Sequence, residues 1–183
     1  FNMYGGTISK NRASDPNTIY GEGGGVYVDG STFKMTGGEI KGNSASEAGG
    51  GVYVKNSTFT MTSGEIKDNT AHKWGGGGVY VASTSTFTVG GKDTITGVGG
   101  KVTITGNKLG SNTNNVYLST NDTTSSVITL RSDLSKDSRI GVDKAGADKG
   151  AVKFATGATK NLDYYKSIFS SDVDAHSYKI TND

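Results

Sequence analysis

Cysteine is absent from this chain of 183 residues, which removes disulfides, thiolate metal sites and cysteine nucleophiles together. The absence leaves the compartment open, since a cytosolic protein and a disulfide-free bacterial surface protein share it. Apolar content is low, at 32% hydrophobic residues, and no apolar run approaches the roughly 20 residues of a membrane-spanning helix. Membrane insertion of this segment is not expected. An excess of one charge is also lacking: 19 basic and 17 acidic residues, net +2, are mixed along the chain. No basic stripe suited to a phosphate backbone stands out, so nucleic acid is not an expected partner.

What the chain has instead is glycine, 29 residues of it, and repetition. The string GGGVYV occurs at 23–28, 49–54 and 76–81. Segments beginning at Phe1, Phe33 and Phe59 share one pattern: F-x-M, an Ile five residues on, an Asn three further and an Ala two after that. A fourth, from Phe87, keeps Phe87 and Val89, takes an insertion, and rejoins at Ile104, Asn107 and Leu109. Apolar residues in such strict register set the chain apart from disordered polar tracts. Starts 32, 26 and 28 residues apart fall in the range of solenoids and arrays, short of the roughly 40 residues of a propeller blade. Leu is too scarce in the repeats for a leucine-rich horseshoe.

Within a repeat the local period is two, with Phe33 and Met35 on one side and Lys34 and Thr36 on the other; that is strand alternation. Three short strands per repeat, F-x-M, x-I-x and V-Y-V, predict a coil, and stacked coils pair like with like in parallel and bury the inward residues as columns. The predicted columns are Phe1/Phe33/Phe59/Phe87, Met3/Met35/Met61/Val89, Ile8/Ile40/Ile66/Ile104, Val26/Val52/Val79/Val116 and Val28/Val54/Val81/Leu118. Asn11, Asn43, Asn69 and Asn107 would occupy one bend, tolerating left-handed backbone and bonding amide to amide. The glycines before V-Y-V fit a corner with positive φ or no room for a Cβ.

The expected fold is all-β, a right-handed three-sided parallel β-helix. Residues 1–118 would form its coils and 119–183 a degenerate last coil with an irregular C-terminal cap. In that last part VITL (127–130), RIGV (139–142) and AVKF (151–154) read as one strand per side, and 161–169 as the only helical turn. Leu162, Tyr165, Ile168 and Phe169 would pack on the last coil, because an open solenoid end exposes core. Phe1 starts in mid-pattern, without an initiator Met or a signal-like segment, so the chain reads as an N-terminally truncated part of a longer one, covalently continuous with it.

The F-x-M, G-G-x-I-x-x-N and G-G-G-V-Y-V units resemble the right-handed β-helix repeats of bacterial surface and adhesin-like proteins, among them polymorphic outer-membrane-protein repeats and repeat regions of large exported proteins of gut Firmicutes and spirochaetes. The resemblance covers most of the chain. It implies a non-catalytic stalk or adhesion module at the bacterial cell surface, extracellular, with a glycan or a host or cell-surface protein as partner. The same fold also hosts polysaccharide lyases and glycoside hydrolases, so an enzyme is the alternative.

Residues for such chemistry are sparse. Glu39 and Glu65 stack one repeat apart, but Lys41 and Lys67 lie two residues on along the same face, which a surface charge ladder explains. Asp68 and Asp93 lack partners at matching positions, and His72 and His176 sit beside no Ser or Asp in a nucleophilic arrangement. No metal or cofactor is expected. Tyr27, Tyr53, Tyr80 and Tyr117, outward in V-Y-V, would form an exposed aromatic ladder, read either as wall packing or as a flat surface for sugar rings. The variable loops 14–22, 46–48, 72–75 and 110–114 would share one edge, where Tyr20, Glu22, Glu47, His72 and Trp74, with Lys73, are the candidate ligand-binding residues. Trp74, the only tryptophan, reads equally as a binding platform or a cover for the corner beneath it. An ice- or mineral-facing surface of T-x-T rows is a further alternative, interrupted by Lys34.

Overall fold

The computed structural model describes residues 1–14, 20–91, 99–121, 126–131, 134–144, 155–156 and 162–172. The first repeat supplies β1 (Asn2–Met3), β2 (Thr7–Ser9), β3 (Arg12–Ala13) and β4 (Val26–Asp29). The second supplies β5 (Thr32–Met35), β6 (Glu39–Lys41), β7 (Ser44–Ala45) and β8 (Val52–Lys55). The third gives β9 (Thr58–Met61), β10 (Gly64–Lys67), β11 (Thr70–Ala71) and β12 (Val79–Val81). The fourth gives β13 (Thr86–Val89), β14 (Val102–Thr105), β15 (Lys108–Leu109), β16 (Asn112–Thr113) and β17 (Val116–Leu118). Then come β18 (Ile128–Leu130), β19 (Arg139–Lys144), β20 (Ala155–Thr156), the short helix α1 (Leu162–Lys166) and β21 (Phe169–Ser171).

Among the described residues the chain is all-β apart from α1, with parallel strands stacked repeat on repeat in curled sheets, an arrangement compatible with a parallel β-helix. The F-x-M strands form the sheet β1-β5-β9-β13-β18-β20, in which Phe33, Phe59, Phe87 and Ile128 stand in register. Phe33, Phe59 and Phe87 are fully buried, with successive rings stacked at 4.8 and 4.9 Å. Each such pair adds about 0.5–1.5 kcal/mol beyond area burial. The other predicted columns also pair in register, Ile8 through Ile104 and Val26 through Val116 beside Val28 through Leu118. Lys34 pairs with Thr60, which pairs with Thr88 and through it with Thr129, so the threonine row is broken where the sequence places Lys34.

Three features differ from the sequence reading. Each of the first four repeats carries a further two-residue strand after its Asn, and these four, with β16 added antiparallel to β15, form a small third sheet, β3-β7-β11-β15-β16. Two residues are too few for a period to show; what defines the strand is an outward Arg12, Ser44, Thr70 or Lys108 in register with its neighbours. Secondly, the left-handed residue at the bend is the one before each Asn, namely Lys10 (φ 57°), Gly42 (62°), Asp68 (55°) and Gly106 (71°). Thirdly, RIGV does not serve one side only. In β19, Arg139 and Ile140 pair with Thr103 and Ile104, whereas Val142 to Lys144 pair with Val116 to Leu118. With only Gly141 between Ile140 and Val142, β19 omits the Asn-x-Ala strand and glycine corner, so it joins two strand stacks into one ten-stranded sheet.

Beyond β19, β20 pairs with β18 and β21 pairs with β19, aligning Phe169 with Ile140. Tyr165, Ile168 and Phe169 belong to the buried core. The AVKF segment and the Leu162 side chain lie outside the described residues.

The asparagines build the second spine. The backbone N–H and Nδ2 of Asn11 both donate to Oδ1 of Asn43 at 3.0 Å; Asn43 donates likewise to Asn69, Asn69 to Asn107 and Asn107 to Asn115. The second Nδ2 hydrogen goes to a carbonyl of the preceding repeat, Ile8, Ile40 or Ile66. Asn115 ends the run by donating its N–H and Nδ2 to the two oxygens of Asp172 at 2.5 and 2.7 Å.

A glycine corner leads into each V-Y-V strand. Gly49 takes φ 65°, a region that side chains rarely tolerate. A Cβ on Gly50 would lie 2.4 Å from the Thr70 carbonyl carbon and 2.5 Å from the Gly77 oxygen, so the next repeat's backbone occupies the space.

Candidate functional site

The loops after the small third sheet hang on one another from repeat to repeat. Glu47 N–H donates to the Gly21 carbonyl at 2.9 Å, and the N–H groups of Lys73 and Trp74 donate to the Glu47 carbonyl at 3.1 Å each. Ala48 bridges to Gly75. At Gly21, Glu47, Lys73 and Trp74 the loop backbones are thus tied from one repeat to the next.

Glu47 is only 3% exposed, and a buried carboxylate needs partners. Its Oε1 receives the Lys73 ammonium at 3.1 Å and the Trp74 indole N–H at 3.4 Å. The same ammonium lies 4.8 Å from the Trp74 ring centroid. Glu47 is therefore turned inward, where it anchors Lys73 and Trp74. Trp74 remains 56% exposed and Tyr20, next to Gly21, is 67% exposed. His72 is exposed, its Nε2 lying 3.3 Å from Ser44 Oγ.

Glu22 is half-buried and its carboxylate sits beside the Tyr53 hydroxyl. Burial, with the Glu22 carboxylate second, pushes the Tyr53 phenol well above its ordinary range.

The tyrosine column stacks as the pattern predicts, with ring centroids 5.4, 5.0 and 5.4 Å apart from Tyr27 through Tyr53 and Tyr80 to Tyr117. Its expected exposure is corrected. Tyr27, at the start of the column, is 46% exposed, but Tyr53 is 8% exposed, and Tyr80 and Tyr117 are half-buried. Tyr53 is covered because it is stacked between Tyr27 and Tyr80 and meets Glu22 at its hydroxyl, whereas Tyr27 begins the column. The column is mainly wall.

Glu39 and Glu65 pair in register, as do Lys41 and Lys67. Lys41 binds Glu39, and Lys67 Nζ lies between Glu65 (2.6 Å) and Glu39 (3.4 Å). The Lys41 bond holds the Glu39 carboxyl below the usual range. These four charges satisfy one another.

A cleft of about 550 Å³ that the sequence reading missed opens at the C-terminal side of the small sheet, lined by Ser111, Asn112, Thr113, Asn114, Asp143 and Asp172 among others. Asn114 donates to Asp143 at 3.0 Å and accepts from Gly76 N–H at 2.6 Å. Burial pushes the Asp172 carboxyl up and the Asp143 charge adds to this, while the bonds from Asn115 oppose it. The available signal was SNTNNVYL, where asparagines replace the glycines before V-Y-V; nothing in the sequence marks Asp172.

Among the described residues no group of three or more His, Asp or Glu is placed to hold a metal, and no helix is long and apolar enough to cross a membrane. Asp93 and His176 lie outside the described residues. No family model, no curated protein and no solved structure matches the chain.

Proposed function

We propose that this chain is a right-handed, three-sided parallel β-helix segment of a larger bacterial cell-surface protein, non-catalytic and extracellular, serving as a rigid stalk that presents its loop edge to a glycan or to a host or cell-surface protein. The observation that carries this reading is the contrast between Tyr20 and Trp74, both in solvent, and loop backbones tied from repeat to repeat beneath them. Exposed aromatic faces on a rigid frame suit sugar rings, with hydrogen bonds supplied nearby. Glycan-array binding that is lost in the Trp74→Ala/Tyr20→Ala pair, with the fold retained, supports this function. Binding that survives that pair but is abolished in Tyr53→Ala/Tyr80→Ala without unfolding places the site on the wall instead.

A second reading, a polysaccharide lyase or glycoside hydrolase, is favoured by the cleft that holds Asp143 and Asp172. A carboxyl raised by burial beside another carboxylate is a pairing that acid–base hydrolysis uses. Against it, both Asp172 oxygens already accept from Asn115. Cleavage of polygalacturonate or a related polymer, lost in Asp172→Asn or in Glu39→Gln/Glu65→Gln, would establish the enzyme.

A further inference from the structure

We propose that the glycan taken at the loop edge is an acidic one, a polymer bearing carboxylate or sulfate groups, lying along the outward face of the small third sheet between Arg12 and Lys108. This rests on the glycan-binding reading above and names its ligand class. Elsewhere Lys41 and Lys67 are ion-paired with Glu39 and Glu65, Lys55 with Asp29 at 3.6 Å, and Lys73 with Glu47. Arg12 and Lys108 are exposed and form no ion pair with a described residue.

They stand in one column. Arg12 pairs with Ser44, Ser44 with Thr70 and Thr70 with Lys108, so two exposed cations sit three strand steps apart, about 14 Å, with two hydroxyl side chains between them. His72, bonded to Ser44 Oγ, adds an imidazole to the same face. Two of the described carboxylates nearby are turned to other uses: Glu47 is buried against Lys73 and Trp74, and Glu22 faces Tyr53.

Cations at the ends, hydroxyls between them, and exposed Tyr20 and Trp74 on the flanking loops match a sugar chain with anionic substituents. The guanidinium fork suits a carboxylate or sulfate, the hydroxyls suit ring hydroxyls, and the aromatics suit ring faces. Beyond Lys108 the Asp143 and Asp172 carboxylates line the adjoining cleft, repelling a polyanion and setting the end of its path.

The test measures binding of dextran sulfate, polygalacturonate and neutral dextran at low and high salt. Charged pairs exposed to solvent are screened by salt, so both acidic polymers should bind at low salt and weaken as salt rises, with neutral dextran bound about tenfold less tightly or not at all. Arg12→Gln/Lys108→Gln should weaken acidic binding about tenfold, whereas Lys101→Gln/Lys136→Gln, an equal charge change at exposed sites elsewhere, should leave it unchanged. Neutral dextran bound as tightly as the acidic polymers and lost with Trp74→Ala would overturn this inference and leave the glycan-binding function standing. Equal loss in both charge pairs, or equally tight binding of a single-stranded nucleic acid with the same variant sensitivity, overturns it as mere net-charge attraction. Failure to bind any glycan removes both.

Discussion

Replacing Asn69 by alanine tests whether the amide ladder holds the stack together. The Asn69 side chain makes four hydrogen bonds. Its Nδ2 donates to the Ile40 carbonyl and to Asn107 Oδ1, and its Oδ1 accepts from Asn43 N–H and Nδ2, all between 2.9 and 3.0 Å. Asn43, Asn69 and Asn107 are essentially buried, so water does not replace what is lost. Asn69→Ala leaves the Asn43 backbone N–H, one Asn43 amide hydrogen and the Ile40 carbonyl without their partners. At about 1–3 kcal/mol for each orphaned group, and allowing for relaxation, the cost is about 4 kcal/mol. For a chain of this size that lowers Tm by about 8–16 °C. Asn11 is the control: it is exposed and its side chain donates one bond of the ladder, to Asn43, so Asn11→Ala should cost under about 1 kcal/mol. Urea and thermal unfolding followed by far-ultraviolet circular dichroism measure both. Similar losses for the two variants, or less than about 1 kcal/mol for Asn69→Ala, would refute the ladder as a structural spine.

Further outcomes follow from the same geometry. Tyr53→Ala should destabilise by about 3 kcal/mol, since the ring is stacked on both sides and covered, whereas Trp74→Ala should change stability by less than about 1 kcal/mol; thermal melts of the two variants decide this. Gly50→Ala should prevent stable folding or cost more than about 3 kcal/mol, because the new methyl meets backbone, while Gly42→Ala, with nothing within 4 Å of its Cβ position, should cost only about 1 kcal/mol for its positive φ. The Asp172 carboxyl is raised from its ordinary 3.8, so between that value and its folded value the native state binds more proton than the unfolded one, and the stability due to this group falls as pH rises. Asp172→Asn removes that slope. The variant's Tm relative to the parent should therefore improve as pH is raised through this window, and a pH-independent difference would show that the group does not titrate in this way.

The columns were legible because they are written in residue types that have only one use in a strand stack. Phe33 over Phe59 and Ile40 over Ile66 follow from a period of two inside a longer repeat, and register is pinned because a slip of one residue would turn the core outward. The Asn column was legible for its spacing but not for its conformation. The left-handed residue before it is Lys, Gly, Asp or Gly, four letters with no common type, and only the bend explains them. The strand of the small sheet escaped for lack of length, and β19 escaped because pairing with two partners is a long-range event. At the loop edge the sequence placed Tyr20, His72 and Trp74 on adjoining repeats, yet it could not say that Glu47 points inward. A glutamate in a surface loop reads as exposed unless the indole and ammonium that meet it are known to arrive from the next repeat. The Asp172 cleft depends on a residue 57 positions from its partner Asn115, beyond any local pattern.

The direction of the amide ladder ties these observations together. Every step donates the same way, from Asn11 toward Asn115, so the partial charges line up along the stack and adjacent bonds reinforce one another. An amide at any interior position both accepts and donates, and so passes the chain on. A carboxylate accepts only. Asp172, receiving two bonds from Asn115, is therefore a chemical terminator for the run, and Gly141 leaves room for it: a Cβ there would stand 2.1 Å from Asp172 Oδ1 and 2.4 Å from Asn115 Nδ2. The loss of the Asn-x-Ala strand in β19 belongs to the same event. Where the ladder meets a group that cannot donate, no further Asn is needed at the bend, the bend itself is dropped, and β19 runs straight from one stack of strands into the other. Asp172→Asn restores a donor at that end but sets an amide hydrogen against one of the two Asn115 donors. At a pH well below the ordinary carboxylate range, where the parent is also protonated and has one acceptor oxygen compromised, the two proteins should melt within about 2 °C of each other. A large gap there would mean that Asp172 holds Asn115 by something other than its two acceptor oxygens.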